Sequence, residues 1–144
     1  MIAHAGLIAR RLGGFWRGVL IEGPSGAGKS DLALRALGQG FRLVADDRVV
    51  LWTSGGRLFG RAPDALAGAL EIRGLDVVST PALTMAEVAL VARSGAPERI
   101  PDVQDAEMLG IAIPLIALDL RDLSAPAKLS RALDLFDEGH KRRI

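Results

Sequence analysis

The chain has 144 residues, 49% hydrophobic and 24% charged, with a formal net charge of +1 and no cysteine. That is material for one domain, residues 1–144, with a sizeable core; the near-zero charge excludes a general nucleic-acid or membrane-surface binder. The missing thiols exclude disulfides, thiolate zinc sites and a cysteine nucleophile.

The apolar start, Met1 to Ala9, has no basic segment before it and runs into Arg10-Arg11, which is not the pattern of a secretory signal. No apolar stretch reaches the ~18–20 residues of a membrane helix. The expectation is a soluble, cytoplasmic protein.

Strands are expected near His4 to Ala9 and Gly18 to Glu22, joined by a turn at Gly13-Gly14. A helix from Ser30 to about Leu37 stops at Gly38-Gln39-Gly40. Phe41 to Ala45 reads as a strand that ends in Asp46-Asp47. Val49 to Thr53 and Arg57 to Arg61 flank Ser54-Gly55-Gly56 as a hairpin. Pro63 to Leu70 is a loop or short helix leading into Leu70 to Leu75. Two strands follow, Ala86 to Arg93 and Leu115 to Leu120, with a short helix at Asp105 to Leu109 between them. The last element, Ala125 to Glu138, places Leu129, Ala132, Leu133 and Phe136 on one helical face. The basic tail, His140-Lys141-Arg142-Arg143, reads as a solvated terminus. The pattern is an α/β fold, a mixed sheet with antiparallel hairpins and flanking helices rather than a regular βαβ array.

The segment Gly23-Pro24-Ser25-Gly26-Ala27-Gly28-Lys29-Ser30 matches the phosphate-binding loop G-x-x-x-x-G-K-[ST] at every fixed position. Glycines let the backbone curl so that N–H groups converge on an anion. Lys29 can reach the β- and γ-phosphates and Ser30 can ligate Mg²⁺. An apolar strand precedes the loop and a helix follows it, so a phosphate would sit at a helix N-terminus. The loop implies a nucleoside triphosphate and Mg²⁺.

Magnesium beside phosphate needs carboxylates, and a kinase needs a base for the acceptor hydroxyl. Asp46-Asp47 and Asp119 both follow apolar runs. The pair is favoured, because adjacent carboxylates repel unless a cation relieves them; a strand end can turn both toward one cleft. Asp119 reads as a surface turn. Glu71 and Arg73, if extended, share a strand face. There they either hold metal and a transferring phosphoryl group or form an edge salt bridge. His4 is a structural or a catalytic histidine, and its position alone does not separate the two.

Three segments taken together resemble one family: Gly-Pro-Ser-Gly-Ala-Gly-Lys-Ser-Asp, Gly-Phe-Arg-Leu-Val-Ala-Asp-Asp-Arg-Val and Leu-Glu-Ile-Arg-Gly-Leu. They are similar to the catalytic domain of HPr kinase/phosphorylase, over roughly His4 to Val78. The resemblance implies a phosphate-loop kinase core of the HPr kinase/PEP carboxykinase-like type, in a short form without the separate N-terminal domain. It implies an ATP- and Mg²⁺-dependent serine kinase acting on the phosphocarrier HPr, able to remove the phosphate with inorganic phosphate, in regulation of carbon metabolism. Carried over, Gly23 to Ser30 bind ATP, and Lys29 contacts the transferred group. Ser30, Asp46 and Glu71 serve the metal, Asp47 is the acid/base, Arg73 stabilises phosphate, and His4 is the functional histidine before the loop. Family members assemble, so a homo-oligomer is expected. Two other readings stand beside this one: a small-metabolite phosphate-loop kinase, and an ATP-responsive module partnering a two-component sensor kinase.

Overall fold

The computed structural model describes residues 1–137. Within them, strands β1 (Ile2–Ala3), β2 (Ala5–Leu12) and β3 (Phe15–Glu22) lead to helix α1 (Lys29–Leu37) and strand β4 (Phe41–Ala45). Strands β5 (Val49–Ser54) and β6 (Arg57–Arg61), a 3-10 turn at Asp64–Leu66, and the hairpin β7 (Ala69–Ile72) with β8 (Asp76–Ser79) follow. The chain closes with β9 (Ala86–Ser94), β10 (Gln104–Met108), β11 (Ile111–Leu118) and helix α2 (Ala125–Leu135).

A nine-stranded mixed sheet runs β1-β5-β6-β9-β3-β2-β4, with the β10–β11 hairpin attached to β9. Pairing is parallel for β3 with β9 and for β9 with β11, and antiparallel elsewhere. The β7–β8 hairpin stands apart as a two-stranded sheet. Each face of the large sheet has its own apolar layer. One packs Ile8, Val19, Ile21, Leu43 and Leu90 under α1 and α2 through Leu32, Ala36, Leu129 and Leu133. The other collects Leu7, Leu20, Val44, Leu51, Leu58 and Val91 with Ala106, Met108 and Ile113 of the β10–β11 hairpin. Coverage of both faces explains why β3 and β9 read as nearly continuous apolar runs.

Tight turns set this layout. Gly13 and Gly14 have φ of 60° and 85°, and Gly55 and Gly56 have 59° and 77°. Two consecutive positive φ values match the right-handed strand twist, which is why Gly-Gly serves both hairpins. At α1 the left-handed residue is Gly40 (φ 91°), while Gly38 stays helical at −78°. The helix itself ends at Leu37 with Gly38 as its C-cap, where the glycines are expected to stop it.

Three expectations need correction. Asp105 to Leu109 is not a helix: Ala106 and Met108 alternate inward on β10, paired antiparallel to β11. Residues Leu70 to Leu75 are not one extended strand. Residues 73–75 form a turn with Gly74 at φ 87°, so Glu71 and Arg73 do not share a strand face. His4 is an exposed bend residue between β1 and β2, not a strand residue. Of the C-terminal helix, Leu129, Ala132 and Leu133 are buried and Phe136 is half-buried, as its spacing requires. Glu138 and the tail carrying His140 lie outside the described residues. No helix of the described residues is long and apolar enough to cross a membrane.

Gly18 is where the sheet is tightest. A Cβ there would lie 2.6 Å from the Glu87 carbonyl oxygen, at the register shift between β3 and β9. A backbone atom cannot move aside as a side-chain tip can. Gly18→Ala is expected to cost about 1–3 kcal/mol, measured as a lower urea midpoint with unchanged slope.

Candidate active site

Strand β3 delivers the chain into the loop Gly23–Ser30, and α1 carries it away. The cap residue Gly28 is left-handed at φ 104°, Gly26 has φ 84°, and no side chain caps the helix. The first N–H groups of α1 are thus left for an anion. Side chains are excluded where the loop is crowded: a Cβ on Gly23 would lie 2.9 Å from the Ser94 Cβ. Lys29 folds back over its own loop, donating from Nζ to Gly23 O at 2.6 Å and to Pro24 O at 3.0 Å. The nearby carboxylates are neutralised by arginines, Glu22 by Arg93 at 2.9 Å and Asp31 by Arg35 at 2.9 Å. The loop therefore keeps its positive character.

Strand β4 ends beside α1 and brings Asp46 to Ser30. Ser30 Oγ donates to Asp46 Oδ1 at 2.7 Å, and the Glu71 backbone N–H donates to Oδ2 at 3.0 Å. Asp46 is 6% exposed, the one buried polar or charged side chain among the described residues. Among those residues no lysine, arginine or histidine pairs with it. A buried carboxylate held only by neutral donors is an uncompensated charge, which a cation relieves. Hydroxyl and carboxylate oxygens at a helix N-terminus are hard donors that fit Mg²⁺, whose remaining positions are taken by water and phosphate. No group of three or more His, Cys, Asp or Glu suited to a metal occurs among the described residues.

Asp47 is the opposite of its neighbour. Its side chain is 69% exposed and lies 3.7 Å from Arg48 Nε. Its φ is 69°, and the Arg48 N–H closes on the Asp46 carbonyl at 2.8 Å across it. This is a γ-turn with positive φ, a strained form of the kind that costs about 1–3 kcal/mol and gathers at functional sites. Ala5 N–H holds the Asp47 carbonyl at 3.2 Å, so the bend at His4 abuts the strained turn. The two acids do not share one environment: Asp46 is turned in to α1 and Asp47 out to solvent.

Glu71 joins the site through its backbone, while its carboxylate is exposed. Arg73 and His4 are exposed and make no side-chain hydrogen bond within the described residues. Asp119 is a turn residue, accepting the Arg121 N–H at 3.0 Å. A cleft of about 600 Å³ between residues 97–101, β11 and α2 contains no phosphate-loop residue.

One group of contacts had no sequence signal. Residues 119–124 join β11 to α2 and lie against the phosphate loop. Arg35 donates to the Asp122 carbonyl at 3.1 Å and also to that of Leu120, and Arg121 reaches the Gly26 carbonyl. Asp122 is held by the Lys128 ammonium at 2.9 Å and by the Ser124 N–H; these lower its pKa below the ordinary carboxylate value. A depressed carboxylate stabilises above its unfolded pKa and loses that contribution as pH falls through the folded one. The stability deficit of Asp122→Asn is therefore expected at pH 7 and should vanish in acid below that point, in denaturation curves taken across pH.

A strand–loop–helix cradle for phosphate, with an acid at the end of β4, one strand beyond β3's neighbour β2, facing the loop serine, defines a phosphate-loop kinase fold. The HPr Serine kinase C-terminal domain model matches residues 12–89, over half of the chain, spanning the loop, Asp46, Asp47, Glu71 and Arg73. The chain belongs to that family. Among its relatives, HPr kinase/phosphorylase of Clostridium beijerinckii is 33% identical over 84% of this chain and 42% of its own length. That of Clostridium tetani is 47% identical over 46% of this chain and 22% of its own. The chain thus spans less than half the length of these curated relatives. The solved Hpr(Ser) kinase/phosphatase from Coxiella burnetii superposes with a TM-score of 0.79 at 27% identity, covering 96% of this chain and 99% of that one. That likeness supports the HPr kinase-type core expected from the motifs.

Proposed function

We propose that the chain is an ATP- and Mg²⁺-dependent serine kinase whose acceptor is HPr, the protein named in its relatives' titles. The observation that carries this reading is Asp46, a buried carboxylate with no cationic partner, bonded at once to Ser30 and to the backbone of Glu71. It ties the phosphate loop to the family's Glu-Ile-Arg segment.

The phosphates of ATP would lie on Gly23 to Ser30, with Lys29 exchanging the Gly23 and Pro24 carbonyls for phosphate oxygens. Ser30, Asp46 and Glu71 would hold Mg²⁺, which when bound neutralises charge developing on the phosphoryl oxygens. Asp47, exposed at its turn, accepts the serine hydroxyl proton as that oxygen bonds to the γ-phosphorus and the bond to ADP breaks. Arg73 offers a guanidinium to the transferring group from the β7–β8 turn. His4, adjacent to the residue that holds the Asp47 carbonyl, supports the proton transfer. With inorganic phosphate as acceptor the same groups would run the removal of phosphate from HPr. The setting would be the cytoplasm, where ATP is available.

Transfer from γ-labelled ATP to purified HPr, run beside a panel of small alcohols, tests the reading. Label on an HPr serine alone is the expected result. Label on a small alcohol would establish a metabolite kinase instead, and tight ATP binding with no transfer would establish an ATP-responsive module.

A further inference from the structure

We propose that Arg121, from the loop between β11 and α2, is a positioning residue that clamps the phosphate loop from outside. The inference rests on the nucleotide-binding reading of Gly23–Ser30.

The contact crosses 95 positions of sequence: the Arg121 guanidinium donates to the carbonyl of Gly26. The same side chain packs over the loop's end, its Cγ 3.2 Å and Nε 3.4 Å from where a Cβ on Gly28 would lie. Its neighbour Leu120 covers the other end, with Cδ1 3.5 Å from the corresponding position on Gly23. The arginine does not hang from a free loop. Its N–H is fixed by Asp119, and Arg35 of α1 holds the carbonyls on either side of it.

The carbonyl of Gly26 belongs to the planar peptide whose N–H is that of Ala27. That N–H donates to Pro24 O at 3.1 Å, and Pro24 O also accepts from Lys29. The loop is thus held by two cations, Lys29 on the Gly23 and Pro24 carbonyls and Arg121 on the Gly26 carbonyl. A phosphate-loop lysine leaves such carbonyls when it turns to the β- and γ-phosphates. Arg121 is then the cation that still fixes the Gly26–Ala27 peptide. It also adds one positive charge beside the anion site, so it favours every phosphate-bearing ligand, not one nucleotide.

The test is titration calorimetry of the full chain and its Arg121→Ala and Arg121→Lys variants with MgADP and with inorganic pyrophosphate, alongside melting temperatures and transfer kinetics. Arg121→Ala is expected to weaken both ligands by about tenfold, the order of one hydrogen bond from a charged group. Arg121→Lys, which keeps the charge and one donor, should recover most of that. The loss in kcat/KM of the alanine variant should fall mainly on the KM for ATP. Unchanged affinity in Arg121→Ala overturns the proposal. So does a lysine variant as weak as the alanine one with a matching drop in melting temperature, which would mean packing only. A fall in kcat at unchanged affinity overturns it too, since Arg121 would then touch the reacting group. If the parent chain binds neither ligand, the nucleotide-binding reading falls as well, and the two failures are told apart by the parent protein alone.

Discussion

Asp47→Asn is expected to lower phosphoryl transfer to HPr by about 10²- to 10⁴-fold, the range for loss of a general base, while the fold and the affinity for ATP stay near those of the parent. Three observations separate these effects. The side chain is 69% exposed, so no packing is lost. The turn is held through the backbone, by the Ala5 and Arg48 N–H groups, which an asparagine leaves intact. The φ of 69° lies where asparagine is tolerated nearly as well as aspartate. Asp47→Ala would mix chemistry with strain, because alanine has no local hydrogen bonding to offset a left-handed backbone. A stopped-flow or quench-flow rate equal to the parent's in Asp47→Asn would remove Asp47 from the proton transfer.

The second large effect belongs to Asp46 and divides by substituent. Asp46→Ala leaves the Ser30 hydroxyl and the Glu71 N–H without their acceptor at part-buried positions. Each such orphan costs about 1–3 kcal/mol, together about 2–6 kcal/mol, so the melting temperature should drop by roughly 5–20 °C. Asp46→Asn can keep both contacts: its amide oxygen accepts from Glu71 and its NH₂ donates to the Ser30 oxygen. The fold is then expected to survive, while the Mg²⁺ concentration for half-maximal transfer rises at least about tenfold. Magnesium titrations of the two variants beside their melting curves check both halves. Equal magnesium dependence in Asp46→Asn and the parent would free Asp46 of its metal role.

What could be read from the sequence follows from where the chemistry is local. The phosphate loop is legible because eight consecutive residues each carry a fixed task, and Gly26 and Gly28 do hold positive φ. Asp46-Asp47 is legible because an apolar strand stops at two charges, although which acid turns inward was not. That choice is made by Ser30, the second residue of α1. Glu71 and Arg73 share a face only if the strand continues, which is what alternation assumes. Gly74 ends it with a turn that a lone glycine signals only weakly. At residues 105–109, Glu-Met-Leu favours a helix, yet pairing with β11 overrides that propensity. The β10–β11 turn even places Leu109 at φ 51° before Gly110 at 80°, a conformation leucine rarely supplies. The contact of Arg121 with Gly26 has no local signal at all, since only the parallel packing of β3, β9 and β11 brings the two loops together.

The family assignment rests on the match of residues 12–89 and on a relative aligned over 84% of the chain, and the proposed reaction joins the matched motifs into a single site. A single-turnover transfer of label from γ-labelled ATP to purified HPr with Mg²⁺, for the parent and Asp47→Asn side by side, tests that union most directly. The expected result is phosphoserine on HPr formed by the parent and nearly lost in the variant, with ATP bound equally by both. ATP bound by the parent with no label passing to HPr would contradict it.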